Sequence, residues 1–287
     1  MSATATVRSA AGRPLTAYLN PVHMVQNLWT HRHVTGQLAW REIMGRYRAA
    51  RLGLLWSILT PLLMLVVYTF VFSVIFQSRW NPAADESKAR FALTLFCGLL
   101  VWTVFAEVVA RAPMLVVFNP NYVKKVIFPL EVLTVATLGG ALFNLLVGLG
   151  VWAVGLAVFE WRLPPVTLLY FPAVLAPVCL LTLGVTWVLA SLGVFIRDIG
   201  PAVQVALQLL FFGTPIFYRI EVVPEPYRSI MYLNPLTQAV EAARRVMMLG
   251  QPPEWAGWVL SLAASAAAAL LGYAFFMKSK RAFADVL

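Results

Sequence analysis

Long apolar runs follow one another along most of the chain, and their length suits a lipid bilayer. A bilayer core about 30 Å thick needs roughly twenty apolar helical residues to cross it, bounded by charge or proline. Six runs meet these conditions: residues 56–76, 91–110, about 130–159, about 166–195, 201–218 and 255–277. The fifth is the least regular, because it contains Gly213 and Pro215. The pattern predicts an all-α membrane protein whose residues 53–287 form six transmembrane helices.

The segment just before the first run, residues 37–52, has helical periodicity of another kind. Apolar and aromatic residues recur at i, i+3, i+4 and i+7, namely Trp40, Ile43, Met44 and Tyr47. Four arginines occupy the other faces: Arg41, Arg46, Arg48 and Arg51. The pattern predicts a basic amphipathic interface helix among the lipid headgroups. A further role, guiding the anionic head of a substrate or touching a cytoplasmic partner, stays open beside it.

The loop between the second and third runs, residues 112–129, is too long for a tight turn. Its distinctive residues are Asn119, Pro120, Asn121, Tyr122, Lys124 and Lys125. The sequence Asn-Pro-Asn can begin a short helix. Two interpretations remain open from the spacing alone. One is a positively charged loop that fixes topology, and the other is a docking helix for a partner.

Residues 219–254, between the fifth and sixth runs, are too apolar for a freely solvated loop. Pro224, Pro226 and Pro235 interrupt the segment, and broken backbone at membrane depth requires protein or a water-filled path beside it. We expect a re-entrant pair of half-helices, about 225–233 and 235–249, on the external side. The alternative is an amphipathic segment on the surface.

The composition agrees with a membrane protein, and the distribution of charge indicates which side of the membrane its loops and termini face. Hydrophobic residues make up 61% of the 287 residues and charged residues 12%, against roughly 25% charge in soluble domains. The net charge is +10. The Lys and Arg excess lies in residues 1–55, the 112–129 loop, the turn at Arg197 and the tail from Lys278, so the positive-inside rule accounts for it. We therefore expect both termini in the cytoplasm, a cytoplasmic segment at 1–36 without an assigned role, and no nucleic-acid partner.

Few residues suggest chemistry of their own. Cys97 and Cys179 lie inside apolar runs, and the three histidines have no carboxylate or cysteine near them in sequence, so we expect no metal site. The chain has no G-x-x-x-x-G-K-[ST] loop, so we expect no ATP hydrolysis and no cofactor in this chain. Glu107 and Arg111 are spaced i, i+4, which indicates either a structural ion pair or a substrate contact.

Aromatic residues make up 13% of the chain and crowd the predicted spans. Packing or anchoring at the membrane interface accounts for most of them. Sugars, however, stack their C–H faces on aromatic rings, so a glycan conduit could be lined in this way. The candidate pore-lining residues are Tyr68, Phe72, Trp102, Phe105, Phe211 and Phe212.

Several strings of residues together resemble a known family. They are Trp40-Arg41-Glu42-Ile43 with Gly45-Arg46-Tyr47-Arg48, Leu52-Gly53-Leu54-Leu55-Trp56-Ser57 with Pro61-Leu62, Asn119-Pro120-Asn121 with the run from Val123 to Glu131, and Thr214-Pro215-Ile216-Phe217-Tyr218 with Leu233-Asn234-Pro235-Leu236-Thr237. In order and spacing the chain from about residue 37 onward is similar to the permease subunits of polysaccharide ABC exporters. That family serves O-antigen, capsule and teichoic acid export.

The resemblance implies a homodimer in the bacterial inner membrane that binds two ATP-binding cassette subunits, which hold ATP and Mg. It implies that Asn119, Pro120, Asn121, Tyr122, Lys124 and Lys125 form the coupling helix. It also implies that Pro215, Tyr218, Asn234 and Pro235 belong to an external gate. The complex would pass a lipid-linked polysaccharide to the outer leaflet. In this interpretation the chain itself is a transport subunit and not an enzyme.

Two other classes of protein remain alternatives. One is an ABC exporter of a small molecule or drug, whose membrane subunits share the six-span plan but would be expected to lack the strings around residues 119–131 and 233–237. The other is a polytopic membrane enzyme that acts on lipid-linked sugars. The missing catalytic motifs speak against the second alternative.

Overall fold

The computed structural model describes residues 18–48, 53, 55–75, 87–124 and 128–287, and this part of the chain is helical without a strand. Its α-helices are α1 (Pro21–Thr30), α2 (Arg32–Arg48), α3 (Leu55–Thr69), α4 (Lys88–Arg111), α5 (Pro120–Val123), α6 (Val132–Phe159), α7 (Phe171–Phe195), α8 (Ile199–Phe212), α9 (Glu225–Tyr232), α10 (Pro235–Met247), α11 (Trp255–Ser279) and α12 (Phe283–Val286). A π-helix, Phe70–Ile75, continues α3, and 3₁₀ turns cover Ala112–Met114, Val166–Tyr170, Ile220–Val222 and Lys280–Ala282.

Five helical stretches of the described chain are long and apolar enough to cross a bilayer. They are Leu55–Phe72, Lys88–Met114, Val132–Phe159, Val166–Phe195 and Trp255–Val286. Each coincides with a predicted span: the first, second, third, fourth and sixth. The chain is therefore a multi-pass membrane protein.

The predicted fifth span differs from the other five. Its helix, α8, ends at Phe212 instead of continuing to residue 218, and has 14 residues. At 1.5 Å per residue α8 is roughly 21 Å long, shorter than a bilayer core of about 30 Å. Gly213 caps α8, and Pro215, which has no backbone N–H, follows in irregular chain. The count of six spans stays a prediction.

Helix α4 lies at the centre of the bundle. It packs against α3, α6, α7, α8 and α10, and most of its apolar side chains are buried. Helix α3 lies at the edge, with no buried residue. We call the end of the bundle that holds α5 and α12 the loop end, and the end that holds α9 the hairpin end.

Helices α7 and α11 pack closely against each other through small residues. A Cβ on Gly184 would overlap the backbone of Ala268, and a Cβ on Gly272 would overlap the backbone of Gly184. Glycine at both positions therefore lets the two helix backbones approach, as is common in membrane helix pairs.

Helix α2 corresponds to the predicted interface helix but has somewhat different bounds. It begins at Arg32, earlier than the predicted residue 37, and packs on α6, where Ala39 faces Gly139. Ile43 is buried, whereas Trp40 is 62% exposed. Residues 49–52, including Arg51, and the side chains of Arg46, Tyr47 and Arg48 lie outside the described residues. The position of α2 among lipid headgroups stays a prediction.

At the hairpin end, helices α9 and α10 lie where the half-helices were predicted, each ending slightly earlier. Helix α10 is buried along one face, with Leu236, Val240, Ala243 and Met247 packed in the core beside α4 and α7. Helix α9 has no buried residue. Their re-entry into the membrane stays a prediction.

Candidate functional site

The 112–129 loop forms a compact element at the loop end. Asn119 stands at the N-cap position of α5, Pro120 is its first residue, and the Asn119 Nδ2 donates to the Leu115 carbonyl oxygen at 2.9 Å. The Tyr122 ring stacks on Phe128 with ring centroids 4.2 Å apart. The short helix predicted from Asn-Pro-Asn is therefore present, because proline fits the first helical position.

The outward surface of this loop carries polar and apolar groups. Asn121 and Lys124 are exposed, and Phe118 is 77% exposed. Lys125 lies outside the described residues. The sequence pattern did not single out Phe118, since one phenylalanine within an apolar string gives no sign of its exposure.

Helix α2 holds the loop in place through two polar contacts. Arg41 donates to the Tyr122 hydroxyl at 2.6 Å, and its guanidinium lies 5.6 Å from the centre of the Tyr122 ring. Arg111 forms an ion pair with Glu42 at 2.5 Å. The structure thus brings together Arg41 and Tyr122, which the sequence assigned to separate elements.

A buried carboxylate joins four helices just beyond the loop. Glu131 is 2% exposed; its side chain accepts from Asn27 at 2.7 Å and forms an ion pair with Lys280 at 2.8 Å. The Trp187 indole donates to the Glu131 carbonyl oxygen at 3.2 Å, and Asn27 also donates to the Tyr273 hydroxyl. These contacts connect α1, α7 and α11 to the start of α6. Sequence reasoning missed this cluster because its members are far apart in the chain.

The six candidate pore-lining aromatic residues form one connected cluster in the bundle with Phe217 at its centre. Ring centroids of Phe217 lie 4.5 Å from Phe72, 4.9 Å from Phe211 and 5.1 Å from Tyr68. Phe212 packs on Phe217 as well, and Trp102 links Phe211 to Phe105. Trp102 and Phe105 are buried. Whether a pore runs beside these rings stays a prediction.

A cavity of about 450 Å³ adjoins this cluster, between α3, α4, α6 and α8. Glu107 and Asn144 line it, and the Asn144 Nδ2 donates to the Glu107 carboxyl at 2.9 Å. Arg111, which the sequence spacing placed beside Glu107, reaches Glu42 on α2. A carboxyl group therefore faces an otherwise largely apolar space inside the bundle.

The two external strings of the sequence meet at the hairpin end. Asn234 donates to the Thr214 hydroxyl at 3.0 Å and caps α10 through its side-chain oxygen. Pro215 is buried, Pro235 is half-buried, and the Tyr218 hydroxyl donates to the Phe212 carbonyl oxygen at 2.8 Å. The irregular segment 213–218 is thus fixed against α10.

A buried arginine supports the same segment. Arg244 donates to the Ile216 carbonyl oxygen at 2.7 Å and forms an ion pair with Glu241 at 2.6 Å. A side chain that donates to a buried carbonyl oxygen is what irregular buried backbone needs.

The described residues contain no group of three His, Cys, Asp or Glu side chains that could hold a metal ion. Cys97 is buried and Cys179 partly buried, each as a free thiol. The polar contacts described above hold helices and loops together, and none of them has the form of a nucleophile with its base.

Long apolar helices around a buried central helix, with polar clusters at both ends, define a multi-pass helical membrane protein. The chain belongs to the ABC-2 type transporter family, whose sequence profile matches residues 33–248. That region extends from α2 to the end of α10 and includes the 112–129 loop.

Three relatives are similar to the chain over most of their own length. The O-antigen export system permease protein RfbA of Myxococcus xanthus is 29% identical over 263 residues, 91% of this chain and 97% of that protein. An RfbA of Klebsiella pneumoniae is 26% identical over 255 residues, 86% of this chain and 92% of that protein. The polysialic acid transport protein KpsM of Escherichia coli is 26% identical over 215 residues, 73% of this chain and 79% of that protein.

Proposed function

We propose that this chain is the permease subunit of an ABC transporter that exports a polysaccharide. The observation that carries the proposal is the similarity to an O-antigen export permease along 97% of that protein's length. The similarity to a polysialic acid transport protein indicates the same class of cargo. The fold agrees with it, because the chain has five long apolar helices, and three of them enclose with α8 a space lined by aromatic rings and a few polar groups.

The proposal includes a second copy of this chain and two ATP-binding cassette subunits, which bind ATP with Mg and supply the energy. Asn119, Pro120, Asn121, Tyr122, Lys124 and Lys125 form the coupling helix in this proposal. Its support is the exposed surface of the loop and the anchoring of Tyr122 to Arg41. Movement of α5 is then passed to α2 through that contact.

The proposed orientation places the loop end and both termini in the cytoplasm of a bacterial cell, with the hairpin end facing outward from the inner membrane. Helix α8 and the irregular segment 213–218 together form the fifth of the six crossings. Pro215, Tyr218, Asn234 and Pro235 form the external gate, and the cargo is a lipid-linked glycan. The contact between Asn234 and Thr214 supports the gate, since it joins the fifth crossing to α10.

A triple substitution at the coupling helix tests the proposal. Tyr122→Ala, Lys124→Ala and Lys125→Ala together should leave the chain in the membrane but reduce export at least tenfold, because ATP hydrolysis no longer moves the helices. The measurement is the surface and intracellular content of glycan in cells that carry the variant. A matched control, Lys88→Gln with Arg162→Gln, removes two exposed positive charges near the opposite end and should export normally. Normal export by the triple variant would show that the loop does not couple.

A further inference from the structure

The cavity between α3, α4, α6 and α8 has the size and lining of a ligand site. Its volume of about 450 Å³ lies within the roughly 300–1,000 Å³ typical of small-molecule pockets. Its polar lining residues are Ser57, Thr60, Thr103, Glu107 and Asn144. Its aromatic lining residues are Trp56, Tyr68, Phe96, Trp102 and Phe211.

The polar groups of this cavity suit a ligand that carries hydroxyl groups. The Glu107 carboxyl accepts hydrogen bonds, and the Asn144 amide both donates and accepts. Three side-chain hydroxyls, on Ser57, Thr60 and Thr103, also line the cavity. The Thr103 hydroxyl donates to the Leu100 carbonyl oxygen at 3.1 Å, and its oxygen can still accept a hydrogen bond. An ionisable residue placed inside a membrane bundle is costly, so it marks a functional position more often than a surface residue does.

The aromatic residues of the cavity suit the C–H faces of the same ligand. A ring face is the negative part of the aromatic quadrupole, and it attracts the weakly positive C–H bonds of a sugar ring. Among the described residues that line the cavity there is no lysine or arginine. Among these described lining residues a phosphate or carboxylate group thus meets no cationic side chain.

We propose that this cavity binds a neutral sugar unit of the exported glycan, with Glu107 and Asn144 as its hydroxyl contacts and Trp102 and Phe211 as its stacking surface. The site selects neutral sugars over acidic ones. This inference rests on the proposed export function. It adds the chemical class of the part of the cargo that occupies this cavity.

Photocrosslinking in cells tests the occupant of the cavity directly. A benzoylphenylalanine in place of Thr103, which is exposed and lines the cavity, should form a crosslink to the glycan in producing cells. The control position is Leu146 on α6, which is also exposed but does not line the cavity, and it should crosslink to phospholipid only. A phospholipid adduct at both positions, in cells that do export glycan through this chain, overturns the site and leaves the export function intact.

Substitutions of Glu107 and Asn144 measure what these two side chains contribute to the rate of glycan export. Glu107→Ala and Asn144→Leu should each lower the glycan export rate about tenfold, as expected for the loss of one strong hydrogen bond. Thr94→Val on the same helix is the control, since the Thr94 hydroxyl bonds only to the Arg90 carbonyl oxygen one turn away and does not line the cavity. Equal export by Glu107→Ala and Thr94→Val, with equal amounts of protein in the membrane, overturns the role of Glu107.

The composition of the exported glycan tests the selectivity. Acid hydrolysis of the material that depends on this chain should release neutral sugars as its repeating units. An acidic sugar in every repeat overturns the selectivity, whereas the absence of any glycan that depends on this chain defeats the export proposal itself. The two failures are therefore distinguishable.

Discussion

At the scale of single residues, buried polar side chains fix the loop end of the molecule. Glu131 contacts Lys280 and Asn27, which lie near opposite ends of the chain. A buried carboxylate is stable only with partners that replace water. Glu131 is one of the residues that resemble the exporter family, and its contacts are structural. It joins the end of the 112–129 loop to α1 and to the 3₁₀ turn that follows α11.

We expect Lys280→Met to destabilise the protein by about 2 kcal/mol, less than the roughly 3–5 kcal/mol of a fully buried pair, because Lys280 is partly exposed. The double variant Glu131→Gln with Lys280→Met should recover part of that loss, since it leaves no unpaired carboxylate. Thermal unfolding in detergent of the purified wild type, the single variants Glu131→Gln and Lys280→Met, and the double variant gives the three losses. Losses that add within about 0.5 kcal/mol would show that the two side chains are not coupled.

At the scale of helices, close packing between backbones decides how the bundle is held together. Gly184 and Gly272 allow α7 and α11 to touch along their backbones. No hydrophobic effect drives helices together in lipid, so such contacts supply much of the packing energy.

Gly184→Ala should therefore destabilise the protein by about 1–3 kcal/mol, as overpacking does. The added Cβ overlaps the backbone of Ala268, which cannot move without shifting α11. The matched control is Gly150→Ala on α6, where an added Cβ meets no atom within 4 Å and the helix gains up to about 1 kcal/mol. The apparent melting temperatures should move in opposite directions. A Gly184→Ala variant as stable as the control would contradict the close packing.

The position of a helix was predictable from the sequence where the helix's own residues show a clear pattern, such as a long apolar run or flanking prolines. Apolar length alone located the five long spans, and proline placement located α9 and α10. The end of α8 at Phe212 was missed because the apolar run continues through Ile216 and Phe217, which are buried although the backbone there is irregular. A high hydropathy indicates that a side chain is buried, but it does not show that the backbone at that residue is helical. Helix α1 was missed for the opposite reason, since its segment is too polar and short to stand out.

Contacts between distant segments were not predictable from the sequence. Arg41 was assigned to a lipid interface, and its hydrogen bond to Tyr122 depends on how α2 packs on α6. The i, i+4 spacing of Glu107 and Arg111 suggested a pair, yet Asn144 and Glu42 on other helices compete for these side chains. The spacing of two residues within one helix shows that their side chains are close enough to pair. It does not show whether a side chain on another helix binds one of them instead.

At the scale of the whole molecule, three features follow one another from the loop end to the hairpin end. The 112–129 loop lies beside α2 at the loop end, with Asn121 and Lys124 exposed. The cavity and its aromatic cluster occupy the interior, and the segment 213–218 lies against α10 at the hairpin end. This order is what a directional transport subunit needs, because movement that begins at one end has to reach the other through the interior.

The central claim is that this chain carries a polysaccharide out of the cell, and the most direct test is the location of that glycan when the chain is removed. Cells that lack the chain should lose the glycan from their surface and retain it inside in lipid-linked form, and the wild-type chain should restore surface display. Surface labelling and extraction of the lipid-linked fraction measure both pools. Unchanged surface glycan with no intracellular accumulation would contradict the account.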